Sequence, residues 1–463
     1  MRPGDRVALT CGDLDDDGAG IGQIVGETGA QRVHVAGALP GERVSGVVEH
    51  VSRQSGAAWA RLETIDAPSP ARRPPACPAF GACGGCVLQH LDYDAQLAWK
   101  HARVARALAA HPALGDVKVA PCVASPRPLG YRNRSKLVVA RREEGRPDDG
   151  LVLGAFAPRS HDVVDLDGCR IAEPPLAETA AALRSLLDEA GVRAYHEGTL
   201  TGDLRHVVLR ANHQGQVLAV WVVARPLPNG VELARRFREA RPEVIGVVEH
   251  QNRSRGNAIF SDADGENERV LDGAGEIEEQ IEVAGHTVRL SLAPGAFFQA
   301  NREVAALAYA AIAEAVAVRP SERVVDAYCG VGGIALTLAP HAAEVIGMES
   351  HAGAVAGATA SAALNGVTNA RFVAGDAAQA LAQIDRADVV VLNPPRKGCA
   401  PEVLATIARL APRAIAYLSC DPETLARDLA LLATHGYRAR AVTPFDMLPH
   451  TPHIEALAVV ALS

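Results

Sequence analysis

From about residue 319 onward the chain settles into one repeating pattern, which limits its fold more than any other feature. Apolar runs of strand length alternate with alanine-rich helical stretches. The runs are Arg323-Val324-Val325, Val345-Ile346-Gly347-Met348, Arg371-Phe372-Val373, Asp388-Val389-Val390-Val391-Leu392 and Ala414-Ile415-Ala416-Tyr417-Leu418. Strand alternating with helix means a parallel, doubly wound sheet, and continuous apolar strands fit a sheet covered on both faces. Each run leads to a polar residue: Asp326, Glu349, Asp376, Asn393 and Ser419-Cys420. Open parallel sheets bind ligands at the carboxyl ends of their strands, so these positions outline a site.

The remainder of the 463 residues is organised differently. Residues 1 to about 65 hold short alternating runs punctuated by Gly, Asp and Pro, such as Arg32-Val33-His34-Val35 and Leu39-Pro40-Gly41, which read as a small barrel or sandwich. The proline cluster from Ala67 to Pro75 reads as a linker. A cysteine group follows, then a helical pattern over about 92–110, then a mixed α+β region to about Ala284. The expected domains are therefore 1–65, 66–285 and 286–463. No apolar run reaches the roughly 18 residues needed to cross a bilayer, and the N-terminus lacks a secretory pattern. A cytoplasmic, non-membrane protein is expected, with a monomer as the default and no obligate protein partner evident.

Forty-six basic against 54 acidic side chains leave a net charge of -8, so any nucleic-acid partner must be met by locally gathered basic groups. Arg127, Arg132, Arg134, Lys136, Arg141 and Arg142 form one such group, although Glu143, Glu144, Asp148 and Asp149 follow directly. The nine cysteines are an odd number in a chain without a secretory signal, which argues against a disulfide framework. Cys77, Cys83 and Cys86, with Cys169 further on, suit either zinc or an iron–sulfur cluster.

The first C-terminal strand runs into Asp326-Ala327-Tyr328-Cys329-Gly330-Val331-Gly332-Gly333, a turn whose glycines permit close approach to a ligand. Glu349 could accept hydrogen bonds from both hydroxyls of a ribose. The glycine spacing differs from the nicotinamide fingerprint. The ordered set of turn, Glu349, Asp376 and Asn393-Pro394-Pro395 resembles an S-adenosylmethionine-dependent methyltransferase. Cys420, at the end of a central strand, can act as a nucleophile if its pKa is lowered. His453 and Glu455 precede the last strand.

Two segments carry a closer resemblance. Tyr417-Leu418-Ser419-Cys420-Asp421-Pro422-Glu423-Thr424-Leu425-Ala426-Arg427-Asp428 and Asp446-Met447-Leu448-Pro449-His450-Thr451-Pro452-His453-Ile454-Glu455 are similar to those of the RNA uracil-C5 methyltransferases. Phe298-Gln299-Ala300-Asn301 and Asn393-Pro394-Pro395-Arg396-Lys397-Gly398 are similar too. Residues 1 to about 65 resemble the family's TRAM module, an OB-like RNA-binding barrel. Cys77, Cys83, Cys86 and Cys169 match its iron–sulfur branch, typified by enzymes acting on 23S ribosomal RNA. The resemblance implies a multidomain α/β protein whose C-terminal Rossmann-like domain binds S-adenosyl-L-methionine through Gln299, Tyr328, Glu349, Asp376 and Asn393. It implies Cys420 as nucleophile, Glu455 as general base, a [4Fe–4S] cluster in preference to zinc, and RNA as partner. The T-loop of transfer RNA is the alternative substrate, and a non-catalytic RNA-binding iron–sulfur protein a third reading. An amino-group methyltransferase would leave Cys420 and Glu455 unexplained. Two positions depart from the pattern: Asn393 replaces the Asp of many members, and Gly333 stands where some carry a side-chain amide.

Overall fold

A computed structural model describes residues 1–26, 29–142, 150–254, 258–260 and 267–462. The acidic run Glu143, Glu144, Asp148 and Asp149 lies outside them.

The C-terminal pattern folds as the sequence expects. An eight-stranded sheet runs in the order Ala370–Ala374, Glu344–Glu349, Arg323–Ala327, Val389–Leu392, Ala414–Ser419, Glu455–Leu462, Tyr437–Phe445, Lys118–Val119. The first five strands are parallel, and Glu455–Leu462 returns antiparallel between Ala414–Ser419 and Tyr437–Phe445. The chain starts at Arg323–Ala327 and builds outward on both sides, so the order reverses there, where such sheets leave a crevice for ligands. Val389–Leu392 and Ala414–Ser419 are buried along their whole length, because apolar clusters cover both faces of the sheet.

A seven-stranded sheet occupies the middle of the chain, from Arg134–Arg141 to Glu268–Gly273, with the helices Pro174–Glu189 and Gly230–Ala240 on one face. The first six-stranded sheet uses Arg6–Thr10 and Asp13–Leu14 as its two edge strands. Only Cys11 and Gly12 separate them, so the sheet must curl round: Cys11 N–H bonds to Glu42 O and Gly12 N–H to Ile21 O, each at 2.8 Å.

Three features differ from a simple reading of the chain in blocks. The proline-rich stretch taken for a linker is docked. Arg72 within it donates to the fully buried Glu42 carboxylate at 2.6 and 2.9 Å and to Gly37 O at 2.6 Å, because a buried carboxylate needs partners. The helix Tyr93–Ala109 packs on the C-terminal helix Pro422–Thr434, and Lys118–Val119 joins the edge of the C-terminal sheet. Residue 285 falls in the turn of the Ile277–Val283 and His286–Leu292 hairpin, whose two strands pair along their length. No helix among the described residues is long and apolar enough to cross a membrane.

Candidate active site

Cys420 stands where the buried strand Ala414–Ser419 meets the helix Pro422–Thr434. Asp421 caps that helix, accepting the Thr424 N–H at 2.8 Å, with Pro422 in the first turn, so the elbow is held on both sides. The thiol is half-buried. Ser419 pairs with Ala456 across the antiparallel ladder. Continued by one residue, that register sets Cys420 opposite Glu455, and side chains of opposed residues share a face.

The electrostatics of this pair reverse one expectation. Burial foremost, then the Glu455 carboxylate, pushes the Cys420 thiol up to about 11, and the Arg396 guanidinium pulls it down. The sequence reading needs a lowered value, but side-chain burial and a neighbouring acid dominate in the ligand-free chain. Burial likewise raises Glu455 to about 8, and its Oε2 has no hydrogen-bond partner. A buried, unpartnered carboxyl of this kind exchanges its proton near pH 8, well above the ordinary carboxylate range.

The segment that delivers Glu455 is anchored from outside the sheet. Asp446, fully buried, accepts from Lys100 Nζ at 2.5 Å and from Tyr93 OH at 2.7 Å. Lys100 also donates to Leu448 O, Tyr131 OH to Pro449 O, and His450 N–H to Gln96 Oε1. His450 has φ +66, a conformation that these contacts sustain. Arg396 Nη2 lies 3.1 Å from His453 Nδ1. Burial, then Arg396, pushes His453 down to about 4, so the ring is neutral and accepts that hydrogen bond.

On the other side of the crevice, Asp326 is fully buried at the end of the first strand. Ala335 N–H faces it outside hydrogen-bonding geometry, and both carboxylate oxygens are left without a partner. Burial foremost raises it to about 7. The turn that follows takes Tyr328, Gly330 and Gly332 through φ +67, +55 and +84. Gly330 N–H donates to Glu349 Oε2 at 3.3 Å, while Glu349 Oε1 accepts from His351 N–H and Ser350 Oγ. Asp376 is exposed, and its Oδ1 caps the helix Ala377–Ala382. Asn393 follows Val389–Leu392, half-buried. Gln299 is buried in the loop that enters the helix Arg302–Val316. A strained turn, an orphaned buried carboxylate and an acid at the end of the second strand suit a cationic nucleoside such as S-adenosylmethionine.

The four cluster candidates meet elsewhere. Cys77, Cys83, Cys86 and Cys169 line one cavity of about 190 Å³ with Phe80, Gln89 and Arg132, and all four are free thiols. Burial foremost, then the neighbouring thiols, raises Cys86 to about 12. Among the described residues, no three His, Cys, Asp or Glu side chains are set closely enough to hold a metal ion. The thiols face a common space without closing on it.

Sequence reasoning assigned no role to Arg396, Lys100, Gln96 or Asp446. Arg396 and Asp446 stood inside recognised motifs. Lys100 and Gln96 looked like ordinary positions of an amphipathic helix, and only their burial distinguishes them.

A doubly wound sheet with a glycine turn and acids at its carboxyl ends is the arrangement expected of a methyltransferase that uses S-adenosylmethionine. Residues 259–462 match the family model described as tRNA (Uracil-5-)-methyltransferase. A relative named an RNA methyltransferase in Halalkalibacterium halodurans is 37% identical, over 100% of this chain and 98% of its own. One in Geobacter sulfurreducens is also 37% identical, over 99% and 90%. The Pyrococcus abyssi tRNA (uracil-54, C5)-methyltransferase, solved with S-adenosyl-L-homocysteine, is 27% identical with a TM-score of 0.77, covering 98% of this chain and 100% of its own. This chain belongs to the RNA uracil-5-methyltransferase family.

Proposed function

We propose that this enzyme methylates C5 of a uridine in 23S ribosomal RNA through a transient bond between Cys420 and C6 of the base. The observation that carries the reading is the ladder pair Ser419–Ala456, next to which Cys420 and Glu455 follow at the carboxyl end of the sheet.

Uracil C5 is a poor nucleophile. The Cys420 thiol gives up its proton to solvent water and its sulfur bonds to C6, sending the C5–C6 π pair toward O4 as an enolate, which makes C5 nucleophilic. S-adenosylmethionine, when bound there, would supply the sulfonium methyl that C5 takes, the donor sulfur being left as a neutral thioether. Glu455 then takes the C5 proton. The freed pair restores the C5–C6 double bond and expels the Cys420 thiolate. Arg396 stabilises the thiolate, and Asn393 offers both a donor and an acceptor to the uracil edge. Gln299, Tyr328, Glu349 and Asp376 are the remaining cofactor contacts.

Phe297 keeps 68% of its surface exposed two residues before Gln299, and an apolar ring left in water beside the site suits stacking on an RNA base. We assign the curled N-terminal sheet to RNA binding as a TRAM-type module. Cys77, Cys83, Cys86 and Cys169 would hold a [4Fe–4S] cluster, tying the 77–90 loop to the central sheet; zinc is the alternative. The likeness to the Pyrococcus enzyme favours the alternative substrate, the T-loop of transfer RNA. The protein acts as a cytoplasmic monomer.

Mapping 5-methyluridine in ribosomal and transfer RNA from cells lacking the protein tests the assignment. Loss of one 23S mark is expected, and loss from the T-loop would move the substrate to transfer RNA. An unchanged map would refute uridine methylation. The purified Cys420→Ala variant should still bind S-adenosylhomocysteine but transfer no methyl.

A further inference from the structure

Gly333 opens the helix Gly333–Leu338 without a side chain, and the structure shows what occupies that space. A Cβ at Gly333 would meet Tyr309 Cε2 at 2.9 Å, its hydroxyl at 3.2 Å and Cζ at 3.3 Å. Real Cβ atoms do not approach so closely, so a side chain at 333 and the Tyr309 ring in this position exclude one another. Tyr309 belongs to the helix Arg302–Val316, which packs on the strands Ala414–Ser419 and Glu455–Leu462 and on the helix Gly333–Leu338. The ring is wedged between these elements and only 5% exposed.

The hydroxyl is the informative atom. Among the described residues it makes no hydrogen bond, yet it is not sealed off as Glu455 Oε2 and both Asp326 oxygens are. A buried phenol normally finds a partner for its hydroxyl. The carboxylates of Asp326 and Glu455 both act on this one, after burial itself, to hold its proton. The helix that carries this phenol touches both the strand that begins at Glu455 and the helix that follows the first strand's turn. Across the sheet, Glu349 and Asp376 stand on the side where ribose and base would lie, and Cys420 and Glu455 where the methyl must arrive.

Resting on the placement of the methyl donor given above, we propose that Tyr309 is a cofactor-binding residue. Its hydroxyl takes the methionine end of S-adenosylmethionine, in place of a side chain at position 333.

Calorimetric binding of S-adenosylhomocysteine, with thermal melting as the folding control, tests this without turnover. Tyr309→Phe keeps the ring and removes only an unbonded hydroxyl. It should melt like wild type and bind about tenfold more weakly, about 1.4 kcal/mol. Gly333→Asn alone should bind weakly because the ring blocks the new amide, whereas Tyr309→Ala combined with Gly333→Asn should recover affinity relative to Tyr309→Ala. Unchanged affinity in Tyr309→Phe overturns the proposal. So does a Gly333→Asn effect that is the same with and without the Tyr309 ring. A wild-type chain that binds no S-adenosylhomocysteine overturns both this inference and the cofactor placement beneath it.

Discussion

Adduct release should be controlled by one buried proton. Glu455 must be ionised to take the C5 proton, but burial holds its pKa at about 8 instead of 4.5. With that value only about one enzyme in ten carries the carboxylate at about pH 7, and about one in a hundred at about pH 6. Decay of the covalent protein–RNA adduct, followed by quenched flow, should therefore slow about tenfold for each pH unit below about 8. The same shift has a stability signature. A rise from 4.5 to about 8 corresponds to about 5 kcal/mol between the two protonation states. Folding takes up this proton, so the stabilisation is complete below pH 4.5 and is lost as pH rises through about 8. Glu455→Gln stays neutral and escapes that loss, so its melting temperature should gain on wild type as the solution becomes more alkaline. Adduct decay that is level across about pH 6 to 8, or a melting difference that ignores pH, would refute the assignment of this proton to Glu455.

Three further outcomes follow from the same geometry. Glu455→Gln should accumulate an adduct with substrate RNA that survives denaturing electrophoresis, because the thiol cannot be expelled while the C5 proton remains; no trapped species would count against the base assignment. Lys100→Met leaves Asp446 charged and fully buried with only Tyr93 as side-chain partner, so unfolding in urea should show a loss of about 3–5 kcal/mol, largely recovered by adding Asp446→Leu. Protein purified without oxygen should absorb broadly in the visible and contain iron that Cys83→Ser and Cys169→Ser each lose, while colourless protein with stoichiometric zinc would replace the cluster with that metal.

Much of the site was legible because it sits on a repeating pattern. Buried parallel strands must be apolar throughout, so the first polar residues after each run are conspicuous, and this marked Asp326, Glu349, Asn393 and the Ser419-Cys420 pair. The motif around Glu455 was equally plain. What could not be read was the chemistry those residues would show. Cys420 looked like an activated thiol, yet its surroundings push it up to about 11, because desolvation depends on what packs around a side chain and not on its neighbours in sequence.

The sequence by itself determined the doubly wound domain and the position of its ligand-binding edge, and it supplied the residues proposed as nucleophile and base, since periodicity and motif spacing are local properties of the chain. Only the tertiary structure decided which distant groups serve that edge. Lys100 and Gln96, some 350 residues from the segment they anchor, declare themselves through burial, and Tyr309 through the space beside Gly333. Ion pairing, desolvation and steric exclusion depend on distances in space, which no stretch of the chain records until it has folded.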